Sequence, residues 1–360
     1  MKIIVFAGGV GTRLWPLSRK NAPKQFGKII GDQSTLQQAV ERLLPEFNAS
    51  DIYIATGKQY RDVVIEQLPT IPKENFIFEP TLQDVGPAIG LSMCLLERKF
   101  RDEPVGIIWS DHLVKNEVAF RGTLRLAEKQ ILDKQSDFIF IAQQPRFANQ
   151  NCGWLELGKK IEGDSIAEIY KFKRLCYRPR QEEAEEFYRS KHYVWNLGYF
   201  VTTPKYLMSL YKTYMPEMHE KLLKIQETAG SPNFARVVEE IYPTMEKISF
   251  DDAILVKLAP DNFRIIATDL DWSDVGTWDA LKEALAGNKN ENITIGDVVL
   301  ENTKDTLLFN YDKKLCLGID LSEIIIINTE DVLLICPKNS VPKIKKFVEK
   351  LNGTAYEHLV

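Results

Sequence analysis

The sequence predicts an α/β fold: a doubly wound, mostly parallel, Rossmann-like sheet followed by a small C-terminal β domain. Three observations carry this. Near-continuous apolar strands at 3–6, 51–56, 76–78, 105–110 and 138–143 alternate with helical stretches, the pattern of a sheet covered on both faces. A polar linker, Ala286-Gly287-Asn288-Lys289-Asn290, then marks a change of character. After it, 293–336 is a run of short apolar strands separated by polar turns.

Taken in order, Ile3, Ile4, Val5 and Phe6 make the first strand, which breaks into Gly8-Gly9-Val10-Gly11. Leu36, Ala39, Val40, Leu43 and Leu44 share one face of a helix predicted over 33–47, behind a Ser34/Thr35 cap. Strands near 166–172 and 195–201 and several helices fill the stretch from 150 to 286. The chain closes in an amphipathic helix over 341–351. A length of 360 residues exceeds one typical core, so a domain over 1–286 and a second over 292–360 are expected.

Composition narrows the class. Hydrophobic content of 44% and charge of 27% are those of an ordinary globular protein. A net charge of −4 argues against a nucleic-acid footprint while allowing a locally basic nucleotide pocket. No apolar run approaches the ~20 residues needed to cross a bilayer, and no signal-peptide build precedes the first strand. Five scattered cysteines without a C-x-x-C pair read as free thiols, which makes the cytoplasm the expected compartment.

In doubly wound sheets ligands bind beyond the carboxyl ends of the strands, where the Gly8 loop, the segment after Phe78 and Asp111 all fall. Gly8, Gly9 and Gly11 let backbone N–H groups converge on an anion, and Thr12, Arg13 and Lys24 follow, Lys24 delivered by the stiffening Pro23. A phosphate cradle with two cations suits a nucleoside triphosphate. No Walker lysine and no G-x-G-x-x-G fingerprint is present. Magnesium takes one or two carboxylates beside substrate phosphates, and Asp111 and Asp274 are the candidates. A helix cap at Asp111 and a turn carboxylate at Asp274 are the plainer readings.

The string AGGVGTRLWPLSRKNAPKQF over 7–26 resembles the signature of the sugar-1-phosphate nucleotidylyltransferases, in particular the mannose-1-phosphate guanylyltransferase branch. Ser110-Asp111-His112 and DWSDVGTWDAL, which holds Asp274, resemble that family's two metal-bearing motifs. The resemblance implies a nucleotidyltransferase type A sheet, a left-handed β-helix after it, and formation of GDP-mannose and pyrophosphate from GTP and mannose 1-phosphate. The sugar-phosphate oxygen would attack the α-phosphorus in line, with Mg²⁺ as cofactor. Arg13, Lys24, Asp111 and Asp274 would be the catalytic set. A phosphate monoester is already ionised and needs no base, so His112 is read as structural.

Glu79-Pro80 and the segment Asp84-Val85-Gly86-Pro87-Ala88 resemble the family's purine-lining stretch, which makes Asp84, Pro87 and Ala88 nucleotide-binding candidates. Asp84 could accept from guanine N1–H and its 2-amino group, or could cap the helix that follows. The sugar side departs further. The family's EKP is Tyr177-Arg178-Pro179 here, so Tyr177 stands for a glutamate and Arg178 for a lysine, with Lys171 and Lys173 as nearby cations. Gly153 and Asn196 of WNLGYF complete the sugar-phosphate set, while Ser249-Phe250-Asp251-Asp252-Ala253 resembles SIDYA and Val256 replaces a glutamate. Another sugar 1-phosphate or nucleotide, or a weakened regulatory paralogue binding nucleotide sugar, is the alternative reading. Neither nucleic acid nor membrane is expected as a partner, and a homodimer is compatible with the sequence.

Overall fold

Four consecutive apolar residues near the N-terminus, Ile3 to Phe6, are all buried and can satisfy their backbone only between two other strands. β1 (Lys2–Phe6) accordingly lies between β2 (Ile52–Gly57) and β4 (Val105–Trp109), parallel to both, with Ile3 opposite Ile52 and Gly106. β3 (Phe76–Glu79) adds a parallel outer strand beside β2. The computed structural model describes residues 1–360 except 10, 20–22, 164–166 and 261 and the side chain of residue 12.

Beyond β4 the pattern changes. β5 (Leu113–Val114) is short; β6 (Phe138–Gln143), β7 (Gly153–Gly163), β8 (Ala167–Cys176), β9 (Tyr193–Thr202) and β10 (Phe263–Thr268) follow. The sheet runs β3-β2-β1-β4-β9-β6-β10-β8-β7. β9 enters antiparallel between β4 and β6, β10 pairs parallel with β6, and β7 and β8 pair antiparallel. β9 also pairs with β7, Asn196 opposite Gly153, which closes β9, β6, β10, β8 and β7 on themselves. The sheet is thus mixed, a correction to the mostly parallel expectation. β4 and β6 look like neighbours in sequence, but the apolar return strand YVWNLGYFVT wedges between them.

The helices are α1 (Thr35–Glu41), α2 (Arg61–Gln67), α3 (Val85–Phe100), α4 (Glu117–Leu132), α5 (Gln181–Ser190), α6 (Pro204–Tyr214), α7 (Pro216–Thr228), α8 (Phe234–Ile241), α9 (Phe250–Ala253), α10 (Trp278–Leu285) and α11 (Ile344–Glu349). The predicted cap of α1 forms: Ser34 and Gln37 exchange backbone-to-side-chain hydrogen bonds at 3.0 and 3.2 Å. None of the described helices is long and apolar enough to cross a membrane. The five cysteines form no disulfide, and Cys94 and Cys152 are buried.

Two compact units result. Unit 1 comprises Met1–Gly8, Ala39–Ser110 and Val114–Trp272; unit 2 comprises Gly9–Gln38, Asp111–Leu113 and Ser273–Val360. In unit 1, α3 buries Ala88, Ile89, Leu91, Met93, Cys94 and Leu96 in a core that also holds Phe138, Phe140, Phe172, Phe200 and Phe263. In unit 2, Leu14, Trp15 and Ile29 of the glycine-loop segment share a core with Trp278, Leu307, Phe309, Ile325 and Val348. Trp15 donates to the Leu359 carbonyl at 2.7 Å and Trp278 to the Trp15 carbonyl at 2.9 Å, which ties that segment to the C-terminal part of the chain.

The last strands, after the short β11 (Trp272–Ser273), are β12 (Ile293–Ile295), β13 (Val298–Glu301), β14 (Leu307–Asn310), β15 (Cys316–Ile319), β16 (Ile324–Asn328) and β17 (Leu333–Pro337). β12, β14 and β16 stack in parallel, Ile293 beside Leu307 beside Ile325, β13 pairs parallel with β15, and β17 closes antiparallel on β16. Buried Asp305 accepts from Lys282 of α10 and, at 2.8 Å, from Lys338.

Candidate active site

Phosphate chemistry needs amides, cations and hard oxygens, and unit 2 collects three of the predicted groups. Gly11 has φ +64, and a Cβ there would lie 2.8 Å from Lys24 Cγ, so only glycine lets the loop pass over the lysine. Gln25 donates to the Gly9 carbonyl at 3.0 Å and fixes the loop to the turn that carries Lys24. Lys24 is 8% exposed, and its Nζ lies 2.7 Å from Asp111 Oδ2. Burial would raise the Asp111 carboxyl, but Lys24 and then His112 outweigh it and hold the group at about 2. His112 Nε2 stands 3.9 Å from Asp111 Oδ1.

Arg13 lies against the other motif. A Cβ on Gly276 would sit 3.4 Å from Arg13 Nη2, so the guanidinium packs on the loop that holds Asp274 and Val275. Arg13 is exposed and Asp274 partly buried. Among the described residues no three His, Cys, Asp or Glu side chains cluster as a metal cage would. An ionised carboxylate at Asp111 nevertheless fits magnesium, which binds through one or two carboxylates and completes its shell with water and substrate phosphate. Gly8 ends the first segment of unit 1, and the Thr12 side chain lies outside the described residues.

The second group is in unit 1. Asn196 on β9 accepts from Gly198 N–H at 3.1 Å and points its Nδ2 at Asp251 Oδ1, 3.5 Å away. A Cβ on Gly153 would lie 3.3 Å from Asn196 Cβ and 3.8 Å from the Tyr177 ring. Arg178, with φ +47, stacks its guanidinium 5.0 Å over that ring. Burial pushes the Asp251 carboxyl up to about 6; the Asp252 and Asp84 charges add to this, against its backbone hydrogen bond and Arg178. Gly153, Tyr177, Arg178 and Asn196 therefore converge around a carboxylate that the motif reading had left out of the site.

The signal for Asp251 was the SFDDA string, which reads first as a helix start. Ser249 does cap α9, accepting from Asp252 N–H at 3.0 Å. Val256 is 42% exposed, Lys173 is paired with Glu156 at 3.1 Å, and Lys171 is exposed.

Asp84 is the N-cap of α3 and accepts from Val85 N–H at 2.7 Å, so the capping role is present. Pro87 and Ala88 are buried in the first turn of α3. Alanine at position 86 would put its Cβ 2.7 Å from the Ile248 carbonyl oxygen, which explains the glycine. Just upstream, buried Glu79 accepts from Tyr242, and burial raises its carboxyl to about 7.

A glycine loop over a buried lysine that pairs with a partly buried aspartate, on a chain that begins as parallel α/β, is the arrangement of a nucleotide-handling class of protein. The chain belongs to the nucleotidyl transferase family, whose pattern matches residues 2–291. It is 30% identical to a mannose-1-phosphate guanylyltransferase of Escherichia coli K12 over 99% of this chain and 75% of that one. It is 29% identical to an enzyme of the same name from Klebsiella pneumoniae, over 97% of this chain and 73% of the relative. A solved structure from Thermus thermophilus, described as a mannose-1-phosphate geranyltransferase, superimposes with TM-score 0.85 at 25% identity, covering 98% of this chain and 99% of that one.

Proposed function

We propose that the protein is an enzyme that makes GDP-mannose and pyrophosphate from GTP and mannose 1-phosphate. The carrying observation is the ion pair between buried Lys24 and partly buried Asp111, in the same compact unit as Arg13 and the Asp274 loop. Similarity to the named guanylyltransferases over nearly the whole chain supports the choice of substrates.

In the proposed reaction an ionised oxygen of mannose 1-phosphate attacks the α-phosphorus of GTP. The new P–O bond forms as the bond to the bridging oxygen breaks, and pyrophosphate carries away the electron pair. Positioning and charge neutralisation do most of such work. The amides of the loop glycines Gly9 and Gly11 cradle the phosphates, Arg13 takes charge on the β- and γ-groups, and Lys24 takes charge developing at the α-phosphate. Asp111 and Asp274 would hold Mg²⁺, which when bound neutralises phosphate charge. In unit 1, Arg178 is proposed for the sugar phosphate, Asn196 and Gly153 for the hexose, and Asp251 for the two-oxygen carboxylate acceptor that Tyr177 does not supply.

Residues 1–286 are proposed as the catalytic part. The 292–360 segment is proposed as a short β-solenoid; in support, Leu307 to Ile325 and Val298 to Cys316 repeat at the same spacing between stacked parallel strands. Chromatography of a reaction with GTP, mannose 1-phosphate and Mg²⁺ tests the function. GDP-mannose is the expected product, and its absence would overturn the proposal.

A further inference from the structure

We propose that unit 1 carries a second ligand site, a cavity that takes a flat aromatic ring bearing one anionic group. The cavity, of about 620 Å³, is bounded by β3, the C-terminal half of α3, the Lys58–Arg61 stretch and α8. β3 is the outermost strand of the sheet, so nothing in the ladder covers its far side. The volume lies in the range of about 300–1,000 Å³ in which small-molecule sites fall.

Its wall is aromatic and aliphatic. Phe76 and Phe78, two apart on β3, present parallel rings 6.1 Å apart with an interplanar angle of 5°, and Leu95, Phe100 and Phe234 face the same space. Such a wall favours a planar ring over a flexible polar ligand. The rim selects the charge. Lys58, Arg61, Arg98 and Lys99 line it with Glu74 and Glu239. Lys58 is paired with Glu239, which leaves two arginines and a lysine against Glu74 on a protein whose net charge is −4. The Arg61 guanidinium lies 5.2 Å from the Phe78 ring, and Arg98 donates to the Ala229 carbonyl beside the opening. An anionic group at the mouth would meet these cations while its ring fills the slot. Pro80 is the one lining residue from the stretch that resembles the purine-lining segment; none of the residues assigned above to nucleotide or sugar phosphate lines the cavity, so its occupant is proposed to be other than a reactant.

The test is a fluorescence titration of the full chain with 8-anilinonaphthalene-1-sulfonate and with its neutral analogue N-phenyl-1-naphthylamine, each with and without saturating GTP and mannose 1-phosphate. One saturable site for the sulfonate, indifferent to both substrates, is expected. Exposed Arg98→Glu should weaken the sulfonate at least about tenfold and leave the neutral dye unchanged, whereas Leu95→Trp, which fills the slot, should weaken both. Displacement of the sulfonate by GTP, equal weakening of both dyes by Arg98→Glu, or no saturable binding would overturn the proposal.

Discussion

Replacing Asp251 by Asn should make the protein more stable and a poorer user of sugar phosphate. The carboxyl is raised from an ordinary 3.8 to about 6, chiefly by burial. The folded state therefore holds a proton that the unfolded state releases between those values, and stability falls as pH rises through that window. At about 1.4 kcal/mol per pH unit, the gap from 3.8 to about 6 costs the neutral-pH fold about 3 kcal/mol. Asparagine keeps the shape and the oxygen facing Asn196 Nδ2 but carries no charge to desolvate. Urea denaturation across a pH series should show Asp251→Asn more stable than the native protein at neutral pH, with the advantage gone by about pH 4. The same variant should raise KM for mannose 1-phosphate about tenfold, because an amide accepts hydroxyl donors at one oxygen only. A variant less stable at neutral pH, or a stability difference that ignores pH, would refute the reasoning.

Three further outcomes follow from the unit 2 geometry. Lys24→Ala should lower kcat by at least ~10²-fold while changing KM for GTP less, since charge at the α-phosphate grows in the transition state; steady-state kinetics decide it. Asp111→Asn and Asp274→Asn should each lower kcat by at least ~10²-fold and raise the Mg²⁺ concentration needed for half-maximal rate, with circular dichroism unchanged, and near-native turnover would remove that carboxylate from the metal site. Asp305→Ala should cost about 3–5 kcal/mol in chemical denaturation, because it strands the buried Lys282 cation. Burial raises the Asp305 carboxyl, but Lys282 and Lys338 outweigh it and hold the group below its ordinary value. Its contribution is thus present above the ordinary carboxylate range and lost as pH falls through it, and the alanine variant should lack that acid dependence.

Strands buried on both faces were legible because nothing but a central position suits them: the predicted 51–56, 105–110 and 138–143 correspond to Ile52–Gly57, Val105–Trp109 and Phe138–Gln143. Their partners were not legible, since the insertion of β9 between β4 and β6 depends on a strand that begins at Tyr193, well after β6 ends at Gln143. Helix lengths slipped where proline intervenes. Pro45 follows the shortened α1, and Pro342 keeps 338–343 in a tighter 3-10 turn before α11. At the site, the glycine-loop cations and Asp111 could be named as candidates from their places after apolar strands and from the family resemblance. The shared core of Leu14, Trp15 and Ile29 with the last strands could not, because an apolar side chain carries no address. Asp251 was hidden for another reason: a carboxylate just after Ser249 looks like part of a helix cap until Asn196 is seen facing it.

The most direct measurement is pyrophosphate release by the purified full chain, crossing four nucleoside triphosphates with a panel of sugar 1-phosphates in the presence of Mg²⁺. The account predicts release that requires both substrates, with GTP and mannose 1-phosphate the fastest pair and GDP-mannose the product. Release with another nucleotide in preference to GTP, or none with any pair, would contradict it.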